Sequence, residues 1–179
     1  GSRQTPRPAT EEDVKASDTD TAVYVIARNS GEGSDRFNRR GDYLLSEHET
    51  ANIRFLAEHY EKTIVILNVA NVIDMKEIQE AKVNTVLLAG QAGNIGGYAV
   101  ADVLLGKTLP SGKLTDTWAV NYSDYPSSEN FSHNNGNVDD EYYNDGIYVG
   151  YRYFDTFNVT PSYCFGYGKS YTDFSIETV

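Results

Sequence analysis

The stretch TAVYVIARNSGEGSDR, residues 21–36, sets the fold and raises the functional question. Its opening seven residues, TAVYVIA, form a continuous apolar run rich in β-favouring side chains. Such a run suits a strand covered on both faces, as in a parallel sheet between helices. At Arg28 the character changes, and two glycines bracket one acid, Glu32, with Asp35 and Arg36 close behind. The glycines free the backbone and let a ligand approach closely. On these residues alone Glu32 is either a solvated loop charge or an acid placed at the end of a strand for chemistry.

Working outward, strand and helix signals alternate. SEHE, Ser46–Glu49, is a capping box, in which Ser46 accepts from the Glu49 backbone and the Glu49 side chain reaches back. Ile53, Leu56 and Tyr60 follow at helical spacing and predict a helix to about Lys62. TIVILNV, Thr63–Val69, predicts a second buried strand, and TVLLAG, Thr85–Gly90, a third; a short helix is expected over Met75–Ala81. GQAGNIGG then leads into a helix from Gly97 to Leu105, LPSG makes a turn, and KLTDTW is a candidate further strand. Residues 1–20 read as a lead-in or linker with a short helix near Glu11–Ala16, and residues 21–179 as one domain. The alternation predicts an α/β protein, a three-layer α/β/α sandwich with a mostly parallel sheet. In open sheets of this kind ligands sit beyond the carboxyl ends of the strands, which is where the Glu32 segment falls. The polar stretch from Ala119 to Asp145 is long enough to be functional, and the aromatic, glycine-rich tail reads as irregular or short-stranded structure wrapping the domain.

Composition narrows the function classes. The 179 residues suffice for a core, and the formal net charge of −11, without a basic block, argues against nucleic acid and anionic membrane as partners. No run is long enough to span a bilayer, and the polar start shows no signal peptide, leaving both a cytoplasmic and a secreted bacterial-type enzyme open. Cys164 has no partner for an internal disulfide. The 14 tyrosines can serve as core or as flat platforms for sugar rings.

Several motifs fall short of their chemistry. GKT at Gly106–Thr108 and GKS at Gly168–Ser170 lack the leading glycine of a phosphate loop. HETAN, from His48, has Asn52 where a zinc helix needs its second histidine, and His48, His59 and His133 show no ligand spacing, so neither metal nor cofactor is expected. Arg28 occupies the first glycine of a nucleophile elbow. GQAGNIGG departs from the dinucleotide fingerprint and reads better as a tight turn with close packing. Asp35 is placed to pair with Arg36 or Arg39 at the surface. Glycoside hydrolysis requires two carboxyl groups, about 5–5.5 Å apart in retaining enzymes. Glu32 could be one of them, but the chain offers no equally framed second, since Glu141 and Asp145 lie in an acidic loop.

Taken together, ARNSGEGSDR, GDYLLSEHE, TIVILN, LLAGQAGNIGGYAVADVLLGKTLPSGKL, NDGIYVGYRYFDTF and CFGYGKSYTDF resemble the second, α/β-sandwich domain of glycoside hydrolase family 3, which includes many β-glucosidases and β-xylosidases. The runs stand in the family's order from about Thr21 to Phe174. The resemblance implies a retaining glycosidase acting on a terminal β-D-glycoside or oligosaccharide, with an aspartate nucleophile on a (β/α)8-type barrel outside this chain. It implies that Glu32 is the general acid/base; Ser34, Tyr142 and Tyr143 are candidate substrate contacts. It also implies a fragment whose sheet lacks its first strand or strands, inactive without the barrel. Sugar specificity would rest mainly with the barrel. The alternative from another class is a carbohydrate-binding or structural module in which Glu32 is a spectator.

Overall fold

The computed structural model describes residues 7–28 and 35–178, so Glu32 and Ser34 lie outside the described residues. The chain divides into two units, Gly1–Gln91 and Ala92–Val179.

In the first unit a helix, α1 (Glu11–Ser17), precedes the expected strand, β1 (Thr21–Ala27). Then follow α2 (Glu47–His59), β2 (Lys62–Asn68), α3 (Lys76–Glu80) and β3 (Thr85–Leu88). The strands lie in the order β1-β2-β3, both pairs parallel, with Val23 opposite Ile64 and Ile66 opposite Leu87. This is an α/β arrangement in which a helix connects each strand to its parallel neighbour. α1 begins at Thr10, whose hydroxyl accepts from the Asp13 backbone while the Asp13 carboxylate reaches back to the Thr10 N–H. The lead-in is tied down as well, since Asn52 of α2 accepts from the Ala9 backbone at 2.9 Å and donates to the Arg7 carbonyl at 3.2 Å.

The core of this unit is Ile26, Leu45, Ile53, Val65, Leu67, Val69 and Ile78, all essentially without solvent contact. Central strand β2 is buried through Val65, Ile66 and Leu67 in succession, so side chains on both its faces are covered. β1 departs from the expectation of two covered faces. Ala22 and Ile26 are buried, whereas Val23 and Val25 are about half exposed, 48% and 54%. The alternation along the strand means that β1 buries one face, that of Ala22, Tyr24 and Ile26, and among the described residues it pairs only with β2. α2 ends at His59, with Tyr60 extended as its C-cap, a few residues before the expected end near Lys62.

The second unit holds α4 (Gly96–Leu104), β4 (Trp118–Ala119), α5 (Tyr151–Thr156) and β5 (Pro161–Tyr163). β4 and β5 pair antiparallel. KLTDTW is therefore not a strand over most of its length. Instead Leu114 exchanges two backbone hydrogen bonds with the closing glycine run, donating to the Tyr167 carbonyl and accepting from Gly166, both at 2.8 Å. The tail contains a helix that its composition did not announce, α5, anchored by buried Phe154. Aromatic edges hold this unit: Trp118 meets Tyr163, and Tyr125 and Tyr153 both meet Phe154. The 119–145 stretch is organised by 3-10 turns at Tyr122–Asp124 and Phe131–His133 and by Asn137, whose side-chain oxygen accepts from the Asp139 and Asp140 backbones. GQAGNIGG is the tight turn expected. Gly96 donates to the Gly93 carbonyl at 3.1 Å, and a Cβ on Gly96 would stand 2.6 Å from that of Ala92.

Two glycines separate close approach from plain helix entropy. A Cβ on Gly168 would meet the Gly112 carbonyl oxygen at 2.6 Å, whereas one on Gly97, inside α4, meets nothing within 4 Å. Gly168→Ala is expected to lower stability by about 1–3 kcal/mol, and Gly97→Ala to raise it by about 0.5–1 kcal/mol. Denaturant unfolding of the two variants checks the pair of signs.

Candidate active site

The site is built where β1 ends. The parallel ladder continues one residue past the strand, with the Arg28 N–H donating to the Asn68 carbonyl at 3.2 Å. Arg28 thus stands at the carboxyl edge of the sheet, immediately before the Asn29–Ser34 segment, and it is only 6% exposed. A guanidinium at such depth needs a full set of acceptors. Glu49 accepts from both terminal nitrogens, at 2.6 and 2.8 Å, in a fork-to-fork pair. The Arg28 Nε donates to the Asp42 carbonyl at 2.8 Å, and Nη1 also reaches the Ala27 carbonyl at 2.9 Å.

Glu49 does two jobs. As the third residue of α2 it closes the expected capping box: its Oε2 accepts from the Ser46 N–H at 2.8 Å, and the Ser46 hydroxyl accepts from the Glu49 N–H at 3.2 Å. The same carboxylate is the counter-ion of Arg28. Burial pushes this carboxyl up, but the Arg28 guanidinium and the Ser46 N–H outweigh burial and hold it below its ordinary value.

Beyond the segment the chain returns to the same place. Arg36 donates through Nε to the Asp42 carboxylate and through Nη2 to the Asp42 carbonyl, the latter at 2.7 Å. Asp42 also accepts from the Phe37 N–H at 2.9 Å, and Arg39 lies 3.8 Å from its other oxygen. Burial raises the Asp42 carboxyl, and the Phe37 N–H together with Arg36 brings it below the usual carboxylate range. This corrects the expected pairing of Asp35 with Arg36 or Arg39. Both arginines turn to Asp42, which is buried and caps the turn, while Asp35 is exposed.

Arg28, Arg36, Asp42 and Glu49 therefore form one linked cluster, with the more exposed Arg39 at its margin. In the sequence Arg28 stands out only as the residue that breaks a nucleophile-elbow motif, and Glu49 only as a helix cap. The available signal was an arginine directly after an apolar strand, at a position where a charge must find a partner.

Of the residues expected to act on substrate, Glu32 and Ser34 are not described. Tyr142 and Tyr143 are exposed, 55% and 91%, and the Tyr142 carbonyl accepts from Asn130 at 3.0 Å. Among the described residues the structure brings together only Tyr142 and Tyr143, as chain neighbours. The other candidate carboxylate, Glu141, lies 3.3 Å from His133 Nδ1. Among the described residues no cluster of three or more histidine, cysteine, aspartate or glutamate side chains is placed to hold a metal, and no helix is long and apolar enough to cross a membrane.

Comparison with known proteins decides the family. Residues 5–151 match the model of the glycosyl hydrolase family 3 C-terminal domain. The chain belongs to that family.

Among relatives of this family 3 domain, a β-glucosidase of Ruminococcus albus is 44% identical over 163 residues, covering 90% of the chain but 17% of the relative. Beta-glucosidase A of Butyrivibrio fibrisolvens is 38% identical, covering 95% of the chain and 24% of its own length. Among solved structures, β-glucosidase 3B from Thermotoga neapolitana superposes with a TM-score of 0.87 at 40% identity, over 96% of the chain and 25% of that protein. A β-glucosidase from Paenibacillus barengoltzii gives 0.88 at 41% identity, over 96% and 19%. The family 3 domain described here thus spans a quarter or less of the length of these proteins.

The buried pair makes a signed prediction. The Glu49 carboxyl lies lower in the folded state than in the unfolded chain. Its contribution is therefore complete above the unfolded value, about 4.3, and drains away as pH falls through the lowered folded value. Glu49→Gln keeps the cap's shape and removes the charge, leaving Arg28 buried without its counter-ion. It should cost about 3–5 kcal/mol at pH 7. The gap from the parent chain should narrow as pH falls below about 4. Urea unfolding of both chains at pH 7, 4 and 3 measures it, and a gap independent of pH would contradict the assignment.

Proposed function

We propose that this family 3 domain is the second domain of a retaining β-glycosidase of the β-glucosidase type, and that it supplies the general acid/base, Glu32. The observation that carries the reading is the position of Glu32 within SGEGSDR, directly after a parallel strand, in a chain whose relatives are named β-glucosidases. The carboxyl edge of a parallel sheet is where such folds hold ligands.

The chemistry runs in two steps. In the first, a carboxylate nucleophile on a (β/α)8-type barrel domain attacks the anomeric carbon. The bond to the leaving oxygen breaks as the Glu32 carboxylic acid gives that oxygen its proton. In the second, the Glu32 carboxylate takes a proton from water, the water oxygen attacks the anomeric carbon, and the bond to the nucleophile breaks. Sugar and free enzyme result, with Glu32 again protonated. An acid with this task needs its pKa raised by burial or by a negative neighbour, which closure against the barrel would provide. Ser34, Tyr142 and Tyr143 are proposed substrate contacts, and the exposure of the two tyrosine rings leaves them free to meet a sugar face.

Two outcomes follow. The 179-residue chain alone should show no hydrolysis of an aryl β-glucoside, because the nucleophile lies elsewhere; turnover by the chain that vanishes in Glu32→Gln would refute the division of labour. In the complete enzyme, Glu32→Ala should slow release of the glycosyl-enzyme by about 10²–10⁴-fold on a substrate with a good leaving group. Azide, which needs no general base, should restore the rate and yield the β-glycosyl azide. A slow variant without azide rescue counts against Glu32.

A further inference from the structure

One backbone oxygen, the Asp42 carbonyl, accepts from two guanidinium groups: Arg28 Nε at 2.8 Å and Arg36 Nη2 at 2.7 Å. These two residues stand four positions before and four positions after Glu32. We propose that Arg36, held by Asp42, is a positioning residue for the acid/base, fixing the second end of the Glu32 segment against the first; this rests on the assignment of Glu32 made above.

The two arginines are not redundant. Arg28 is buried, continues the β1 ladder and pairs with Glu49, which accounts for the joint between strand and helix without any help from Arg36. Arg36 lies nearer the surface, its side chain 18% exposed, and among the described residues its side-chain hydrogen bonds go to Asp42. Bringing a second cation to an oxygen already used by the first is unfavourable unless a further anion is present. The Asp42 carboxylate supplies it, on the same residue whose carbonyl is shared. Each guanidinium thus has its own carboxylate, Glu49 for Arg28 and Asp42 for Arg36. The geometric effect is that Arg28 and Arg36, which flank the segment in the sequence, meet at one carbonyl oxygen. Pinning both ends of a short segment restricts where its middle can go, and placement within about 1 Å is what proton transfer to a leaving group demands.

The test separates positioning from folding by the leaving group. In the complete enzyme, Arg36→Met removes the donors and keeps the stem. A substrate with an alkyl or sugar leaving group needs the acid, whereas 2,4-dinitrophenyl β-glucoside hardly does. The expected result is a fall in kcat/KM of about ten- to a hundredfold on the former and a change within about threefold on the latter, with Arg36→Lys in between. Equal changes on both substrates, or none on either, overturn the proposal, since loss of folded enzyme lowers both alike. Should Arg36→Met fail to fold, the same ratio is read from Asp42→Asn and Arg36→Lys, and a ratio unchanged from the parent enzyme in both is the overturning result. Glu32→Gln is measured alongside. If it discriminates between the substrates and the Arg36 variants do not, the positioning role falls and the acid/base assignment stands. If Glu32→Gln itself shows no discrimination, both fall.

Discussion

The ion pair between Arg28 and Glu49 is the constraint on which the first unit turns. It joins the carboxyl end of β1 to the first turn of α2, both partners are buried, and each is needed by more than the other. Arg28 also binds the Asp42 carbonyl, and Glu49 also caps the helix. Such a pair contributes little net stability over an apolar replacement, because desolvating two charges offsets most of their attraction. What it does fix is geometry. A bidentate guanidinium–carboxylate contact tolerates few orientations, so the strand end, the turn through Asp42 and the helix start are held in one arrangement.

Much of the first unit was legible because its signals are local. Thr21–Ala27 is the strand that its apolar run announced, and Ser46 with Glu49 forms the box that SEHE spells out. The strands β2 and β3 fall within a residue or two of the expected bounds, and their parallel pairing follows from the helices between them. What the pattern could not supply was position in the sheet. TIVILN and TAVYVIA look alike as strings, yet β2 is covered on both faces and β1 on one, a difference set by neighbours rather than by composition. In the second unit the signals are weaker. The KLTDTW run and the closing glycine run meet through Leu114 as an irregular pair, and α5 forms in a tail where aromatic spacing gave no clear period.

The site divided along a different line. Glu32 stood out through its flanking glycines and through the resemblance of the surrounding runs, but the charged cluster of Arg28, Arg36, Asp42 and Glu49 did not. Arg28 and Glu49 are 21 positions apart, and Arg36 passes over adjacent Asp35 for Asp42. Charges announce that partners are needed without saying which, and the choice was made by burial. Asp42 is enclosed and offers a carbonyl as well as a carboxylate, whereas Asp35 is exposed and competes with water.

On the proposed reading this domain would supply half of a mechanism, the proton donor and acceptor, and the nucleophile would come from a barrel domain. The most direct measurement is the pH profile of kcat/KM for the complete enzyme and for Glu32→Gln, on a substrate with a poor leaving group. A general acid must be protonated to act, so the alkaline limb of a bell-shaped profile reports its ionisation. If Glu32 is the acid, the parent enzyme shows a bell and Glu32→Gln loses the alkaline limb, with the acidic limb of the nucleophile kept. A full bell retained in Glu32→Gln would contradict it and place the acid elsewhere.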